Sequence, residues 1–478
     1  MNLQDNQNAS TRSFLNPFTS EFRPFALVQL ILIPLLFTGV LYRAQNSPEW
    51  FGSFHLDLLF LYVTPLLLLA HTYYRTDSGL WIHVAQASLL ILLTFILLRQ
   101  HNLYIPGDGR TLHVVLVFLL YAVYPFIGYD FVAFLRSRAV YVAAYVLMLG
   151  VFFFHVNSMA AGSTKASFVV YMALLFGVNV FFIPRYVSRN VFFWGLSLVA
   201  GFFVVIGLPV YVIGSYDLWW FQPQLFEATA TIPLLGTEFH YLQSVLDNPN
   251  ILAVLTFSGA FAALVLAVEN VFQRRFLLVS LASVLFFLNG LATYLTHARA
   301  SWLALALATV VYAGYVLFGR RSVPFTVVPL ALASAVLLLT ILFAVGPIDA
   351  HGRAPLWMAG LRAIKNAPSA LGYGVVNTHA VIEPFVTDPH FRGYSPHNSY
   401  VQIFLQVGIV GGMAYLVIVL GSIVEGIVRW NSVDVPMLGF ALAFAVHQTF
   451  AVYTMFNNAV ASILAMLVFG YLICGYER

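Results

Sequence analysis

Two short stretches of this sequence carry residue types suited to handling an anion and a hydroxyl group. The first is Leu295-Thr296-His297-Ala298-Arg299-Ala300-Ser301-Trp302, in which Arg299 stands at the boundary between two apolar segments. A guanidinium there has two roles open to it. It snorkels to lipid phosphates, or its planar fork grips a phosphate or pyrophosphate through two parallel hydrogen bonds. The second stretch is Ser395-Pro396-His397-Asn398-Ser399-Tyr400, followed by a long apolar run. Proline and small polar residues in that order suit a helix start, so His397 is expected on a fixed element at the edge of the apolar zone. Such a histidine caps or faces the interface, or it serves as a general base, since an imidazole titrates at about 6.5.

Between these stretches lie Gly352-Arg353-Ala354-Pro355-Leu356-Trp357, with a second candidate phosphate ligand, and Leu371-Gly372-Tyr373-Gly374, whose glycines permit tight turns. The chain has no Asp-x-Asp pair. Transferases that use nucleotide sugars commonly hold a divalent cation on paired carboxylates, so the expectation here is a metal-free site without cofactors, in which arginines neutralise a leaving group.

The elements that must position these residues are set by composition. The 478 residues are 61% hydrophobic and 8% charged, with a mean hydropathy of +0.88, more apolar surface than a soluble core can hide. The bilayer must be the solvent. The 22 Lys and Arg against 18 Asp and Glu are scattered without a basic run, so nucleic acid is not an expected partner. The single cysteine, Cys474, supports neither a disulfide framework nor a thiolate metal cluster.

A membrane helix needs about 20 mainly apolar residues. Segments approaching that length cover residues 25–42, 55–73, 80–98, 111–128, 139–157, 167–183, 191–213, 250–268, 276–295, 301–318, 324–346, 398–424, 435–454 and 458–475. The expected fold is an all-α polytopic membrane protein with about 12–14 transmembrane helices and two long extracytoplasmic loops. Residues 25–42 read as a retained span, being longer than a signal-peptide core and lacking a small-x-small cleavage site. The regions follow: a polar cytoplasmic N-terminus 1–24, an N-terminal bundle 25–213, a loop 214–249, spans 250–346, a large loop 347–397 and C-terminal helices 398–478. With the N-terminus inside, thirteen of the 22 Lys and Arg fall on the cytoplasmic side. Four of the nine outside sit in the large loop, where the positive-inside rule has little force, so the count favours this orientation. The loop 214–249 contains Asp217, Glu227, Glu238 and Asp247 and no Lys or Arg, which suits an outer face. Within 347–397, Leu356, Ala359, Leu361 and Ile364 predict a short amphipathic helix after Pro355. His71, His83, His113, His155 and His447 lie in apolar segments without nearby acids, and are expected to make hydrogen bonds inside the bundle.

From about residue 235 to 425 the sequence resembles the O-antigen ligase and O-antigen polymerase superfamily of membrane glycosyltransferases. The resemblance rests on Asn248-Pro249-Asn250, Ala298-Arg299, Gly352-Arg353 through Trp357, Gly372-Tyr373-Gly374, and His397-Asn398-Ser399-Tyr400 running into Gly408 and Gly411-Gly412. It implies a metal-independent enzyme of the cytoplasmic membrane in cell-surface polysaccharide biosynthesis. Such an enzyme transfers a polyprenyl-pyrophosphate-linked glycan donor to the hydroxyl of a glycan or glycolipid acceptor at the extracytoplasmic face. By the same resemblance, Arg299 matches the arginine that holds pyrophosphate and His397 the loop histidine that acts as base, while Asn250, Asn398 and Tyr400 are expected at the substrate. Two positions depart from the family pattern. Ala298 stands where the family often has Ser, and an arginine usually found ahead of Asn-Pro-Asn is missing from Phe239-His240-Tyr241-Leu242-Gln243, so that either His240 or Arg353 substitutes for it or the chain is a divergent member with a different donor. A polysaccharide polymerase of the same superfamily and a lipid-linked oligosaccharide flippase are the alternatives. A flippase predicts paired halves and helices broken at mid-membrane depth, whereas this chain shows no halves and places its polar clusters in outer loops.

Overall fold

The computed structural model describes residues 129–157, 169, 172, 173, 175–218, 221–231, 236, 238–342, 353–367, 369–374, 378–457 and 459–475. The four apolar segments expected before residue 129 lie outside these residues. The described chain is mostly helical, and six helices are long and apolar enough to cross a membrane: Arg189–Ile213, Pro249–Phe272, Phe276–Leu295, Arg299–Phe318, Ser322–Thr340 and Ser399–Val428. Three shorter apolar helices accompany them, Ala139–Phe154, Val435–His447 and Val460–Cys474. The protein is a multi-pass membrane protein.

Contacts divide the chain into two units. The described part of the first runs from Phe182 to Ala298. Helix α1 (Ala139–Phe154) belongs to the second unit, whereas α2 (Arg189–Gly207, continuing to Ile213) starts in the first, where the Ser188 side chain accepts from Val191 N–H. Helix α3 (Pro249–Phe272) starts at Asn248, whose side chain accepts from Asn250 N–H, with Pro249 in the first turn. Helix α4 spans Phe276–Leu295. These three helices approach closely through small residues. A Cβ on Gly259 would stand 2.6 Å from the Ala200 Cβ, and one on Gly201 2.8 Å from Leu285 Cδ2. Lipid supplies no hydrophobic drive between helices, so such close packing and interhelical hydrogen bonds do that work. Ser197 Oγ donates to Gly259 O (3.0 Å), Asn289 Nδ2 to Ser197 O (3.2 Å) and Thr293 Oγ1 to Thr256 Oγ1 (2.9 Å).

The stretch 214–249, expected to be a loop in an all-α protein, contains a two-stranded antiparallel sheet, β1 (Gln224–Thr231) and β2 (Glu238–Ser244). Here Phe, Thr and Tyr alternate with polar residues, which favours a pleated ribbon wherever no apolar run enforces a helix. Its base is fastened to α2, where Ser244 Oγ donates to Phe203 O (2.7 Å) and Tyr211 Oη to His240 O (2.6 Å).

The second unit joins residues 126–181 to 299–476. It contains α1, α5 (Arg299–Phe318), α6 (Ser322–Leu342), α7 (Arg353–Lys365), α8 (Ser399–Leu416, continuing through a π-helical turn to Val428), α9 (Val435–His447) and α10 (Val460–Cys474). Its two ends differ. At one end Arg138 and Arg429 pair with Glu425 (3.6 and 3.1 Å), and Arg320 Nη1 donates to Val433 O (2.8 Å). At the other end lie the first turns of α5 and α8 and the last turn of α9. Helix α5 therefore runs antiparallel to α9, since Arg320, just past its end, meets Val433, two residues before α9 begins.

Two expectations about this unit need correcting. The apolar segment 435–454 is helical only to His447, after which two turn bonds, Thr449 N–H to Val446 O and Phe450 N–H to His447 O, lead into backbone whose carbonyls accept from Arg353 of α7 and Ser399 of α8. In the amphipathic helix Leu361 is 43% exposed. The buried face is Leu356, Trp357, Ala359, Gly360 and Ala363, one turn-to-turn stripe. That stripe belongs to a small core made of Leu356, Ala359, Ala363, Ile382, Val386, Val401 and Leu405. The large loop therefore folds on apolar contacts of its own with the start of α8.

Candidate active site

Helix α8 begins at Asn398, whose side-chain oxygen accepts from Tyr400 N–H (2.9 Å) and Val401 N–H (3.0 Å). This side-chain cap satisfies two of the donors that a helix start leaves open. His397 immediately precedes the cap with φ of +43°, a left-handed conformation that is uncommon outside glycine. Its N–H donates to Ser395 Oγ (3.3 Å). The preceding Pro396 is fixed from below, where the buried Trp357 Nε1 donates to Pro396 O (2.7 Å). The imidazole is thus held by its backbone at the mouth of α8.

Arg353 opens α7, and its Nη1 donates to Phe450 O (2.9 Å). Burial pulls the guanidinium pKa below its ordinary value. The His397 side chain is exposed, yet its surroundings remove enough water to lower the imidazole pKa. The nearby Arg353 charge lowers it further, followed by His379. The ring is therefore neutral at pH 7 and able to accept a proton. His379 is itself tied back into the loop by a contact of Nδ1 with Gly393 O.

Arg299 is the first residue of α5, is exposed, and has no side-chain partner among the described residues. Two residues on, the buried Ser301 Oγ meets His447 Nε2 at 3.0 Å, and His447 Nδ1 meets Tyr453 Oη at 2.9 Å. His447 thus makes the interior hydrogen bonds expected of it. His155 behaves alike, its Nε2 lying 2.7 Å from Leu371 O. Tyr400 Oη donates to Ala445 O (2.8 Å). The side-chain oxygens of Asn398 and Tyr400 are therefore both engaged in mounting α8.

Among the residues expected at the substrate, the second unit brings Arg353, His397, Asn398 and Tyr400 together around residues 445–453. Arg299 is joined to that corner through Ser301. His240 and Asn250 belong to the first unit. His240 is exposed on β2, with Nδ1 3.2 Å from Phe226 O. Exposed Asn250 bonds Asn248 Oδ1 through its backbone N–H (2.8 Å) and Nδ2 (2.9 Å).

The glycine motifs have a geometric explanation. Helix α8 is unwound at Gly408 (φ 64°, ψ −164°), and the freed carbonyls of Leu405 and Gln406 accept from Tyr373 N–H (2.8 Å) and Gly374 N–H (2.9 Å). The two backbones are so close that a Cβ on Gly372 would lie 2.4 Å from Gly408 N, and one on Gly408 2.1 Å from Ala370 O. The large loop is thereby pinned into the upper part of α8.

Residue reasoning on the sequence missed Ser301, Tyr453 and Trp357 as parts of this arrangement. The polar signal was there, since Gln448, Thr449, Thr454, Asn457 and Asn458 interrupt an otherwise apolar tail. Among the described residues no group of three or more His, Cys, Asp or Glu is placed to hold a metal ion.

No curated protein matches the chain. Residues 281–416 match the family model described as O-antigen ligase. The match takes in Arg299, Arg353, His397, Asn398, Tyr400 and the Gly372–Gly408 contact, and stops short of His447 and Tyr453. Through that segment the chain is similar to the O-antigen ligase family.

Proposed function

We propose that the protein transfers a polyprenyl-pyrophosphate-linked glycan to an acceptor hydroxyl, as a ligase or as a polymerase according to the acceptor. The observation that carries this reading is the corner of the second unit where a neutral, exposed His397 stands beside Arg353, inside a segment that matches O-antigen ligase. In this reading His397 takes the hydroxyl proton while the acceptor oxygen attacks the anomeric carbon. The bond from that carbon to the pyrophosphate oxygen breaks, and the polyprenyl pyrophosphate leaves with the bonding pair. Its growing charge falls to Arg299, whose guanidinium is free among the described residues, and to Arg353. A pyrophosphate held by arginines is a good leaving group and needs no acid.

The active site is proposed on the extracytoplasmic face of the cytoplasmic membrane. The opposite end of the second unit gathers Arg138, Arg320 and Arg429, and positive residues in short connections favour the cytoplasm. The surroundings of Asn398 and Tyr400 are proposed as the mouth through which the acceptor enters.

The test is a transfer assay with purified protein, a lipid-pyrophosphate-linked glycan and a separate measurement of donor binding. General base catalysis typically contributes about 10² to 10⁴ in rate. His397→Ala and His397→Gln should both lower transfer by about that factor while donor binding persists. Glutamine keeps hydrogen bonding but takes no proton, so near-native turnover by the glutamine variant would remove His397 from the role of base.

A further inference from the structure

The stretch from His447 to Tyr453 has no place in the reaction just described, yet the parts of the candidate site are fastened to it. Ser399 N–H donates to Gln448 O (2.9 Å), Ser399 Oγ to Ala451 O (2.7 Å), and Tyr453 N–H returns to Ser399 Oγ (2.9 Å). Tyr415 Oη donates to the Gln448 side-chain oxygen (3.0 Å). Arg353 is anchored on Phe450 O, and the Trp357 ring lies 5.9 Å from the Phe450 ring. These bonds mount α7, which begins with Arg353, and α8, which begins behind His397. The third mount is different in kind. Helix α5, which begins with Arg299, is hydrogen-bonded at its first turn through the side chain of Ser301 to the ring of His447.

We propose that His447 is a positioning residue, which sets the Arg299 helix start against the Arg353 and His397 mounts by bridging Ser301 and Tyr453. This rests on the reading of Arg299 as a ligand of the leaving pyrophosphate. A neutral imidazole has one N–H donor and one acceptor nitrogen on opposite sides of a rigid ring, and either tautomer satisfies two hydroxyls that each donate or accept. Ser301, His447 and Tyr453 are 0%, 3% and 3% exposed, so water does not compete for these bonds. The Tyr453 ring also lies against the imidazole, with centroids 5.5 Å apart. A buried, fully satisfied polar chain favours one arrangement over its neighbours, and here the arrangement it selects is the spacing of two arginines from one histidine. Transfer depends steeply on that spacing, because a misplacement of about 1 Å can cost about 10² in rate.

The test combines Ser301→Ala and Tyr453→Phe, which delete the two hydroxyls flanking the ring, with Arg299→Lys. In the otherwise native enzyme each deletion should lower kcat/KM for transfer about tenfold, a modest fraction of that ceiling, while the thermal midpoint of the detergent-purified protein changes little. In the Arg299→Lys background the same deletions should change kcat/KM less than about twofold, because residues acting through one another are not additive. An equal tenfold loss in both backgrounds, or a loss of folded protein in both deletion variants, would assign the chain to stability and overturn the proposal. Native transfer by both deletions beside an impaired Arg299→Lys would overturn the positioning role alone. Native transfer by Arg299→Lys would overturn the leaving-group reading and this inference together.

Discussion

The α2–α3–α4 group of the first unit and the corner around His447 in the second both bury polar side chains among apolar helices, but they dispose of the hydrogen bonds differently. In the first unit Ser197 and Asn289 bond from helix to helix, and Thr293 in the last turn of α4 reaches Thr256 near the start of α3, beside glycines that let the backbones touch. The result is a bundle fastened helix to helix, with the bonded side chains buried. In the second unit Ser301, Arg353, Trp357, Ser399 and Tyr400 bond mainly to carbonyls of non-helical backbone or helix ends, and the exposed residues Arg299 and His397 stand just beyond them. Helix ends and unwound turns carry backbone groups that the helix itself does not satisfy. Side chains that satisfy them fix where a neighbouring charge stands. The same residue types therefore act as glue where helix meets helix and as mounts where they hold a helix start beside an exposed charge.

The largest effect that would separate the two regions is expected at Arg299. A lysine keeps the charge but loses the fork that donates two parallel hydrogen bonds. Removing one preorganised donor from a developing anion typically costs about 10² to 10³ in kcat. Arg299→Lys should lose transfer in that range with near-normal protein level and unchanged thermal stability. Near-native activity would mean that the guanidinium only snorkels to lipid.

Gly408→Ala is expected to rank next, and on stability as well as on transfer. Its φ and ψ lie in a region that is essentially glycine's alone, at a cost of about 1–3 kcal/mol for other residues. The added Cβ would also meet Ala370 O at 2.1 Å, a backbone atom that cannot step aside without moving the loop. A lower thermal midpoint together with lost transfer is the expected result. A variant as stable as the native protein would show that α8 and the large loop are not pinned together here.

Much of this was legible in the sequence because helix boundaries in a membrane are marked by strong signals. The apolar run before Thr296, the Arg274-Arg275 and Arg320-Arg321 pairs, and the Asn248-Pro249 and Asn398 caps place α3, α4, α5 and the start of α8 within a few residues. Residues 448–454 were not legible. They follow directly on an apolar helix, and what holds them is bonding of the Phe450 and Ala451 carbonyls to Arg353 and Ser399 and of the Gln448 side chain to Tyr415, partners 33 or more positions away in the chain. The hairpin was hidden for the opposite reason, since a short alternating ribbon in a polar stretch leaves little hydrophobic pattern. His397 could be placed at a helix mouth from Pro396 and Asn398, but its left-handed backbone and the charge of Arg353 on it are consequences of the fold.

That charge gives a smaller, sharper test. The His397 pKa is lowered first by burial and then by Arg353. The base form is the active form, so kcat/KM should fall as pH drops through this pKa, and the fall should lie below the ordinary value of 6.5. Arg353→Gln removes one of the causes and leaves burial, so the acid limb should move upward without passing much beyond that value. A limb that stays in place, or moves down, would detach Arg353 from His397 or His397 from the titration.

The smallest effect belongs to the first unit and checks that its polar contacts are glue alone. Thr293→Val keeps the shape of the side chain and removes the hydroxyl that reaches Thr256 Oγ1 (2.9 Å) and Asn289 O (2.8 Å). Thr256 is not orphaned, because its own hydroxyl still donates to Ala253 O (3.3 Å). The methyl that replaces the hydroxyl fills nearly the same space, so no cavity penalty is added. Interhelical hydrogen bonds of this kind average about 0.6 kcal/mol in a membrane, and the variant should show a slightly lower thermal midpoint with unaltered transfer and an unaltered pH profile. Ser301→Ala removes a hydroxyl of the same chemistry from the first turn of α5, where about tenfold in transfer is expected to go with little stability. If Thr293→Val lost transfer as Ser301→Ala is expected to, a hydroxyl between helices and one beside an exposed charge would be doing the same work, and the distinction between mount and glue would fail.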